Sequence, residues 1–409
     1  MEAQLNKTLL PQIARRTDSR IVFIVLDGLG GVLGEAPTAL QASKHPNLDA
    51  LASRSALGRH IAVAHGVTGG SGPGHFAIFG YDPLGLDVGR GLLEALGVGV
   101  DVRPGDVAIR GNYCTVDDQG ILVDRRAGRI PTDQSAALTA MLATAMEQIE
   151  GARVEMHPGL QHRFAAVLRG TDLGADVADT DPQVKGVPPL LARARHARSG
   201  KTARIANAIV ERAREVLGDR DVANSILLRG FSSRPDVLTL AELALLRPCA
   251  IAAYPAYRGV AAILGMDLID GVGPTSSIAD EVDALERVWN DGYDFFFLHV
   301  EATDSAGVDG DEERKGRVIE DFDAQLARIV ALEPDVIVVT GEHSTPGPLA
   351  GHSWHPVPLL ISGPWTESKG AARFDEVSCH EGRLGCAFPA PAILRMAMAQ
   401  AGKLAKYGA

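Results

Sequence analysis

Phe295-Phe296-Phe297-Leu298-His299-Val300-Glu301-Ala302-Thr303-Asp304 and Val336-Ile337-Val338-Val339-Thr340-Gly341-Glu342-His343 follow one pattern. Each opens as an apolar run and closes on acids or a histidine. Short apolar runs rich in aromatic and β-branched side chains read as strands buried on both faces, as in a parallel sheet. In open α/β sheets ligands bind beyond the C-terminal ends of such strands. Asp304, Glu342 and His343 fall there, and His352 and His355 follow in Gly351-His352-Ser353-Trp354-His355-Pro356. Carboxylate oxygens mixed with imidazole nitrogens suit a borderline divalent metal such as Mn or Zn. Calcium prefers an all-oxygen shell.

The same pattern appears near the N-terminus. Ile21-Val22-Phe23-Ile24-Val25-Leu26 reads as a buried parallel strand, and Asp27-Gly28-Leu29-Gly30-Gly31 follows it. The glycines let the backbone turn beside the carboxylate. Asp27 reads either as a ligand or as the cap of the next turn or helix. Pro46-Asn47-Leu48-Asp49-Ala50-Leu51-Ala52 carries the signals of a helix start. In Gly66-Val67-Thr68-Gly69-Gly70-Ser71-Gly72-Pro73-Gly74-His75-Phe76-Ala77-Ile78-Phe79-Gly80, Ser71 sits among glycines ahead of an apolar, helix-like run. A serine at a helix N-terminus suits a nucleophile that must carry a phosphate, because the backbone N–H groups and the dipole favour an anion. An ordinary N-cap serine is the alternative. The spacing does not match the lysine-bearing phosphate loop of nucleotide-binding proteins, so such a loop is not expected.

From 108 to 236 the character changes. Alternating strands, a hairpin turn at Asp117-Asp118-Gln119-Gly120 and a periodic helix over 202–217 read as an α+β insertion. The rest, 1–107 with 237–409, forms the α/β domain into which it is inserted. Asp124-Arg125-Arg126-Ala127-Gly128-Arg129 concentrates three arginines, of which Arg126 and Arg129 stand beside glycine. Guanidinium groups clamp carboxylate or phosphate bidentately; a solvated basic face is the other reading. Tyr254-Pro255-Ala256-Tyr257-Arg258-Gly259 returns to the strand-then-helix pattern, with Arg258 at the expected strand end. An apolar-periodic helix occupies the tail.

The 409 residues are 46% hydrophobic with a formal net charge of -11, a balance that points to a globular protein and away from nucleic acid as a partner. Four cysteines are too few for a disulfide scaffold in a chain this long. Cys379 and Cys386 flank His380, a weak zinc-site pattern lacking a C-x-x-C pair. No apolar run reaches the ~18 residues of a membrane span. The polar start lacks a secretory core, so a cytoplasmic location is expected. Oligomeric state is left open.

Taken together, these residues resemble the cofactor-independent (2,3-bisphosphoglycerate-independent) phosphoglycerate mutases, in the shorter form found in archaea and many bacteria, within the alkaline phosphatase superfamily. Asp27-Gly28, Ser71-Gly72-Pro73-Gly74-His75 with Phe79-Gly80-Tyr81-Asp82-Pro83, Gly89-Arg90-Gly91, the 124–129 arginine cluster, Thr303-Asp304-Ser305-Ala306-Gly307, Thr340-Gly341-Glu342-His343-Ser344 and His352-Ser353-Trp354-His355 carry the resemblance in the family's order. It implies an alkaline-phosphatase-like doubly wound α/β sheet with a smaller inserted α+β domain. It also implies metal-dependent interconversion of 2- and 3-phosphoglycerate through a phosphoserine on Ser71. Two divalent ions are implied, Mn first with Mg, Co or Zn as alternatives, and no 2,3-bisphosphoglycerate. Asp27, Ser71, Glu342 and His343 would hold one ion, Asp304 and His352 the other. Arg258 would neutralise the phosphoryl group. Arg126, Arg129, His162 and Asp181 would hold the small phosphorylated three-carbon acid.

Two positions depart from the family's pattern. Glu342 stands where the family normally has Asp. Val308 stands where archaeal members carry histidine and many bacterial ones an acid, and valine binds no metal. They leave open a non-catalytic binding protein that has lost a metal, while loss of water exclusion or a changed clamp would give a phosphatase or other phosphotransferase of the superfamily.

Overall fold

The structure is a computed structural model that describes residues 2–86 and 88–408. The chain forms two compact units, Met1–Leu86 with Val237–Ala409, and Asp87–Asp236. The second unit begins earlier than the expected residue 108. Helix Arg90–Gly97 packs on strands Val107–Val116 and Ser225–Ser232 and belongs with them. Gly91 permits that contact, since a Cβ there would lie 2.6 Å from the Gly230 carbonyl oxygen.

The first unit is built on an eight-stranded sheet. Its order is Asp267–Leu268, Pro248–Ala252, Phe295–Val300, Ile21–Leu26, Val336–Thr340, Val357–Ser362, Ala56–Ile61 and Gly385–Pro389. Val357–Ser362 runs antiparallel to both neighbours, and every other pairing is parallel. The three runs read from sequence as buried strands are adjacent at the centre: Ile21–Leu26 pairs with Phe295–Val300 on one side and Val336–Thr340 on the other. All three are buried along their whole length. Three strand ends therefore open side by side on one edge.

Alternation along the strands sorts their side chains into two layers. Val22, Ile24, Leu26, Phe296, Leu298, Val300, Ile337 and Val339 join a core with Val282 and Leu285 of helix Ile278–Val288 and Ile319, Phe322 and Leu326 of helix Glu312–Ala331. Phe23, Phe295 and Phe297 face the opposite way. Phe79, which caps helix Ser71–Ile78, stacks against them with ring centroids 4.9–6.1 Å apart. His299, two residues beyond Phe297, shares this second face.

The second unit carries a six-stranded antiparallel sheet. Its order is Leu122–Asp124, Val107–Val116, Arg163–Arg169, Ala152–Pro158 and Gln148–Ile149, with Ser225–Ser232 also paired to Val107–Val116. Helices Thr132–Ala145 and Gly200–Leu217 pack on it over a core of its own. No described helix is long and apolar enough to cross a membrane. The four cysteines are free thiols; Cys379 is buried, Cys386 is exposed, and neither belongs to a metal-ligating group among the described residues.

Candidate active site

The central strand ends bring Asp27, Glu342 and His343 together. Asp27 follows Ile21–Leu26 directly. Glu342 and His343 follow Val336–Thr340 after Gly341. All three are fully buried. Asp27 caps nothing: among the described residues both its carboxylate oxygens lack a hydrogen-bond partner, and so do both oxygens of Glu342. His343 Nε2 lies 3.1 Å from Glu342 Oε1, 3.6 Å from Asp27 Oδ1 and 3.3 Å from Ser71 Oγ.

Ser71 is the first residue of helix Ser71–Ile78, and Gly70 is the N-cap. Its hydroxyl is thus not engaged in capping. Gly74, one turn in, lets the helix approach the sheet edge, since a Cβ there would lie 2.4 Å from the Glu342 carbonyl oxygen. Gly28, at φ +64°, does the same for the loop after Asp27. A side chain at Gly28 would meet Thr345 Oγ1 at 2.4 Å and Asp304 Oδ1 at 2.8 Å.

Asp304 lies in the first turn of helix Ala302–Val308 rather than on the strand itself. His352 Nε2 is 3.5 Å from Asp304 Oδ1, and the His352 ring stacks on His343 at 3.8 Å. Thr345 links the two groups. Its hydroxyl lies 2.6 Å from Asp304 Oδ1 and 3.1 Å from His343 Nδ1. A hydroxyl has one proton. With Thr345 donating to Asp304, it accepts from His343 Nδ1–H. The lone pair of His343 is then on Nε2, facing Asp27, Glu342 and Ser71. His352 Nδ1 lies 3.2 Å from the Gly69 carbonyl oxygen, which accepts a proton from it and leaves Nε2 bare beside Asp304.

Asp27, Glu342 and the bare Nε2 of His343 thus converge, with the Ser71 hydroxyl beside them. Burial works against the Asp27 charge, but contacts to Glu342 and the His299 and His343 imidazoles outweigh it and hold its carboxyl well below the usual range. Burial and the Asp27 charge push Glu342 well above its own range. Burial draws His343 down to about 4, so the imidazole is neutral at pH 7. For His352 the Asp304 carboxylate overcomes burial and raises the value. Two carboxylates in a dry site repel until a cation neutralises them. Unpartnered oxygens with neutral imidazole lone pairs are what a divalent metal requires. Asp27 with Glu342 and His343 meets that requirement, and Asp304 with His343 and His352 forms a second set in which Asp304 Oδ1 already accepts from Thr345. His343 belongs to both, whereas sequence placed it only with Asp27. Val308 is 42% exposed and joins neither.

Arg258 is not brought to this cluster. Helix Pro255–Ile263 begins at Pro255, and the Arg258 guanidinium donates to the Ile269 carbonyl at 3.1 Å. Its neighbour Tyr257 faces the site instead. Burial, with Asp27 and Glu342 close by, holds the Tyr257 hydroxyl protonated well above its ordinary range.

In the second unit, Asp181 is internally engaged. Its buried carboxylate accepts from Arg125 Nε at 2.9 Å and Nη2 at 2.7 Å, and from Arg229 Nη1 at 3.4 Å. Arg126 and Arg129 are exposed, turned outward by a loop in which Ala127, Gly128 and Arg129 all take positive φ. Asp124 pins that loop by accepting from the Arg126 and Gly128 amides. His162 is buried nearby. Burial, then the charges of Arg163, Arg110, Arg126 and Arg129, lower it to about 4. His162 is therefore a neutral imidazole within the field of these arginines.

Sequence reasoning did not single out Thr345, Lys315, Tyr257, His75 or His299 for the cluster in the first unit, nor Arg125 as the partner of Asp181 in the second. Two carried a signal. His299 interrupts an apolar strand in phase with Phe295 and Phe297, and His75 lies one helical turn after Ser71.

A model of the 2,3-bisphosphoglycerate-independent phosphoglycerate mutases matches residues 52–223. A protein of Aquifex aeolicus named as a probable 2,3-bisphosphoglycerate-independent phosphoglycerate mutase is 48% identical, over 98% of this chain and 100% of its own length. One of the same name from Thermus thermophilus is 47% identical, over 98% of this chain and 99% of its own. Among solved structures, the cofactor-independent phosphoglycerate mutase of Thermoplasma acidophilum is 30% identical with a TM-score of 0.69, over 94% of this chain and 100% of that one. The chain belongs to the 2,3-bisphosphoglycerate-independent phosphoglycerate mutases.

Proposed function

We propose that this chain interconverts 2-phosphoglycerate and 3-phosphoglycerate in the cytoplasm, with Ser71 as the group that carries the phosphoryl between the two hydroxyls of glycerate. The observation that supports it most is the Ser71 hydroxyl lying 3.3 Å from His343 Nε2, at the rim of unpartnered acceptors from Asp27 and Glu342. Asp27, Ser71, Glu342 and His343 would hold one divalent ion, and Asp304 and His352 the second, with His343 within reach of both. Ions bound there, Mn foremost, favour the serine alkoxide and neutralise phosphoryl charge.

The chain's own groups account for the rest. Ser71 Oγ attacks phosphorus as the glycerate C–O–P bridge breaks. The serine O–P bond forms, and the serine proton ends on the freed glycerate hydroxyl. The reverse step delivers the phosphoryl to the other hydroxyl, so no 2,3-bisphosphoglycerate is consumed. The position of Ser71 at a helix start directs backbone N–H groups at the phosphoryl oxygens. Arg126, Arg129 and His162 would hold the anionic acid. Asp181 acts through Arg125, keeping that guanidinium in place.

A coupled assay on 3-phosphoglycerate, scoring 2-phosphoglycerate and free phosphate together without added bisphosphoglycerate, tests this. Activity should require Mn, vanish in EDTA and fall by at least about 10³-fold in Ser71→Ala. Acid-quenched wild type should carry phosphate on Ser71 by mass spectrometry. Release of phosphate alone would make the protein a phosphatase, and phosphate on any other residue would sink the scheme.

A further inference from the structure

His299 is fully buried and stacked on Tyr257 with ring centroids 3.9 Å apart, yet neither of its ring nitrogens has a hydrogen-bond partner among the described residues. A buried imidazole left that way is costly and calls for an explanation. His75 stands next to it, ring centroids 5.1 Å apart, equally buried. His75 Nδ1 lies 2.7 Å from the Ser71 carbonyl oxygen, so it carries the proton, and Nε2 keeps a lone pair with no partner among the described residues. The third member is Glu342. Its Oε1 is 3.9 Å from His75 Nδ1, and neither oxygen is satisfied. Donor atoms of His75, His299 and Glu342 all lie within 4.8 Å of one another. Phe79, Phe297 and Tyr257 wall the group with rings, leaving Asp27 as the neighbouring charge, its Oδ2 3.5 Å from His299 Nε2.

We propose that His75, His299 and Glu342 hold a third divalent cation, distinct from the ions at the Asp27 and Asp304 sets. Two imidazole nitrogens and one carboxylate select a borderline transition ion of the Zn or Co type over Mg or Ca. The backbone carbonyl of Ser71, accepting from His75 Nδ1–H, fixes the tautomer as outer-shell partners of ligating histidines do. Glu342 is common to this group and to the Asp27–His343 set. Glu342 Oε1 lies 3.1 Å from His343 Nε2 and 3.9 Å from His75 Nδ1, so this one carboxylate stands between the two sets. The third ion would then sit behind the nucleophile, joining the helix that starts at Ser71 to the strand end at His299. The inference goes beyond the mutase reading, which uses neither histidine.

The test is an ion count on the intact protein. Wild type loaded with Zn, desalted and measured by inductively coupled plasma mass spectrometry should hold about three ions per chain. His299→Leu and His75→Gln should each hold one fewer, with melting curves as the check on folding. Loading with Mg alone should leave the third position empty. An unchanged count in His299→Leu overturns the proposal, as does an unchanged count in His75→Gln. If a variant fails to fold, anomalous diffraction at the zinc edge from wild-type crystals decides: a peak between His75, His299 and Glu342 supports the site, and its absence overturns it. The count does not depend on turnover, so failure of the mutase assay and failure of this site are separable.

Discussion

The ammonium of Lys315 donates to the carbonyl oxygen of Gly28 at 2.7 Å. A second N–H of the same group reaches the Thr345 carbonyl at 2.8 Å. Lys315 is a residue of helix Glu312–Ala331, is 1% exposed, and has its pKa lowered by burial. It ties the loop after Asp27 to the loop after His343. Replacing it with methionine leaves the Thr345 carbonyl without its donor, at about 1–3 kcal/mol, while the Gly28 carbonyl keeps the Thr345 amide at 3.1 Å. Lys315→Met should therefore melt earlier. It should also bind Mn about tenfold more weakly, because the strand ends lose their common anchor. Melting curves and a metal titration check this. Lower stability with unchanged Mn affinity would reduce Lys315 to a packing role.

Arg125 donates two parallel hydrogen bonds to the fully buried Asp181 carboxylate. If the arginine cluster of the second unit binds substrate, loosening this pair should weaken binding more than chemistry. Asp181→Asn should raise KM for 3-phosphoglycerate about tenfold and change kcat by less than about threefold. Steady-state kinetics decide, and an unaltered KM removes the cluster from substrate recognition.

His60 is buried between Thr340 and Gly341, its Nε2 3.0 Å from Thr340 Oγ1 and from the Gly341 carbonyl oxygen. Burial lowers it to about 4. An unfolded histidine titrates near 6.5. Between those values the unfolded chain takes up a proton at His60 that the folded chain refuses. Stability is therefore full above pH ~6.5, falls as the pH drops toward 4, and levels off below. From pH 7 to pH 5 the loss amounts to about 2 kcal/mol. Urea unfolding in EDTA at both pH values should show a loss smaller by that amount in His60→Gln. Equal losses in the two proteins would exclude His60 as the source.

Much of the architecture was legible because its signals are local. Apolar runs ending in Asp27, Asp304 or Glu342 need only composition and order to be read as buried strands with a loaded edge. Ser71 was legible from its glycines. The remainder depends on which way a side chain faces, and that is settled by residues far off in sequence. Lys315 looks like any solvated lysine on a charged helix until Gly28 and Thr345 close over it. Three arginines occupy 125–129, and only the positive-φ turn at Ala127-Gly128-Arg129 decides that Arg125 pairs inward while Arg126 and Arg129 face out. Arg258 was expected at a strand end. The helix started by Pro255 turns Tyr257 toward the cluster and sends Arg258 to Ile269.

The sheet order has a consequence for how the protein is made. Ile21–Leu26 leaves the ribosome early, but both its neighbours, Phe295–Val300 and Val336–Thr340, lie far downstream. Until then the strand has neither edge covered, which makes it a sticky segment in need of shelter during synthesis. In the second unit the wait is shorter, since Val107–Val116 meets Arg163–Arg169 and then Ser225–Ser232. All its strands pair within 87–236, so it can fold while the rest of the chain is still being translated. Cation uptake at Asp27 and His343 is then a late event, and retained metal in a newly made molecule reports that translation has passed the last ligand and the central strands have met.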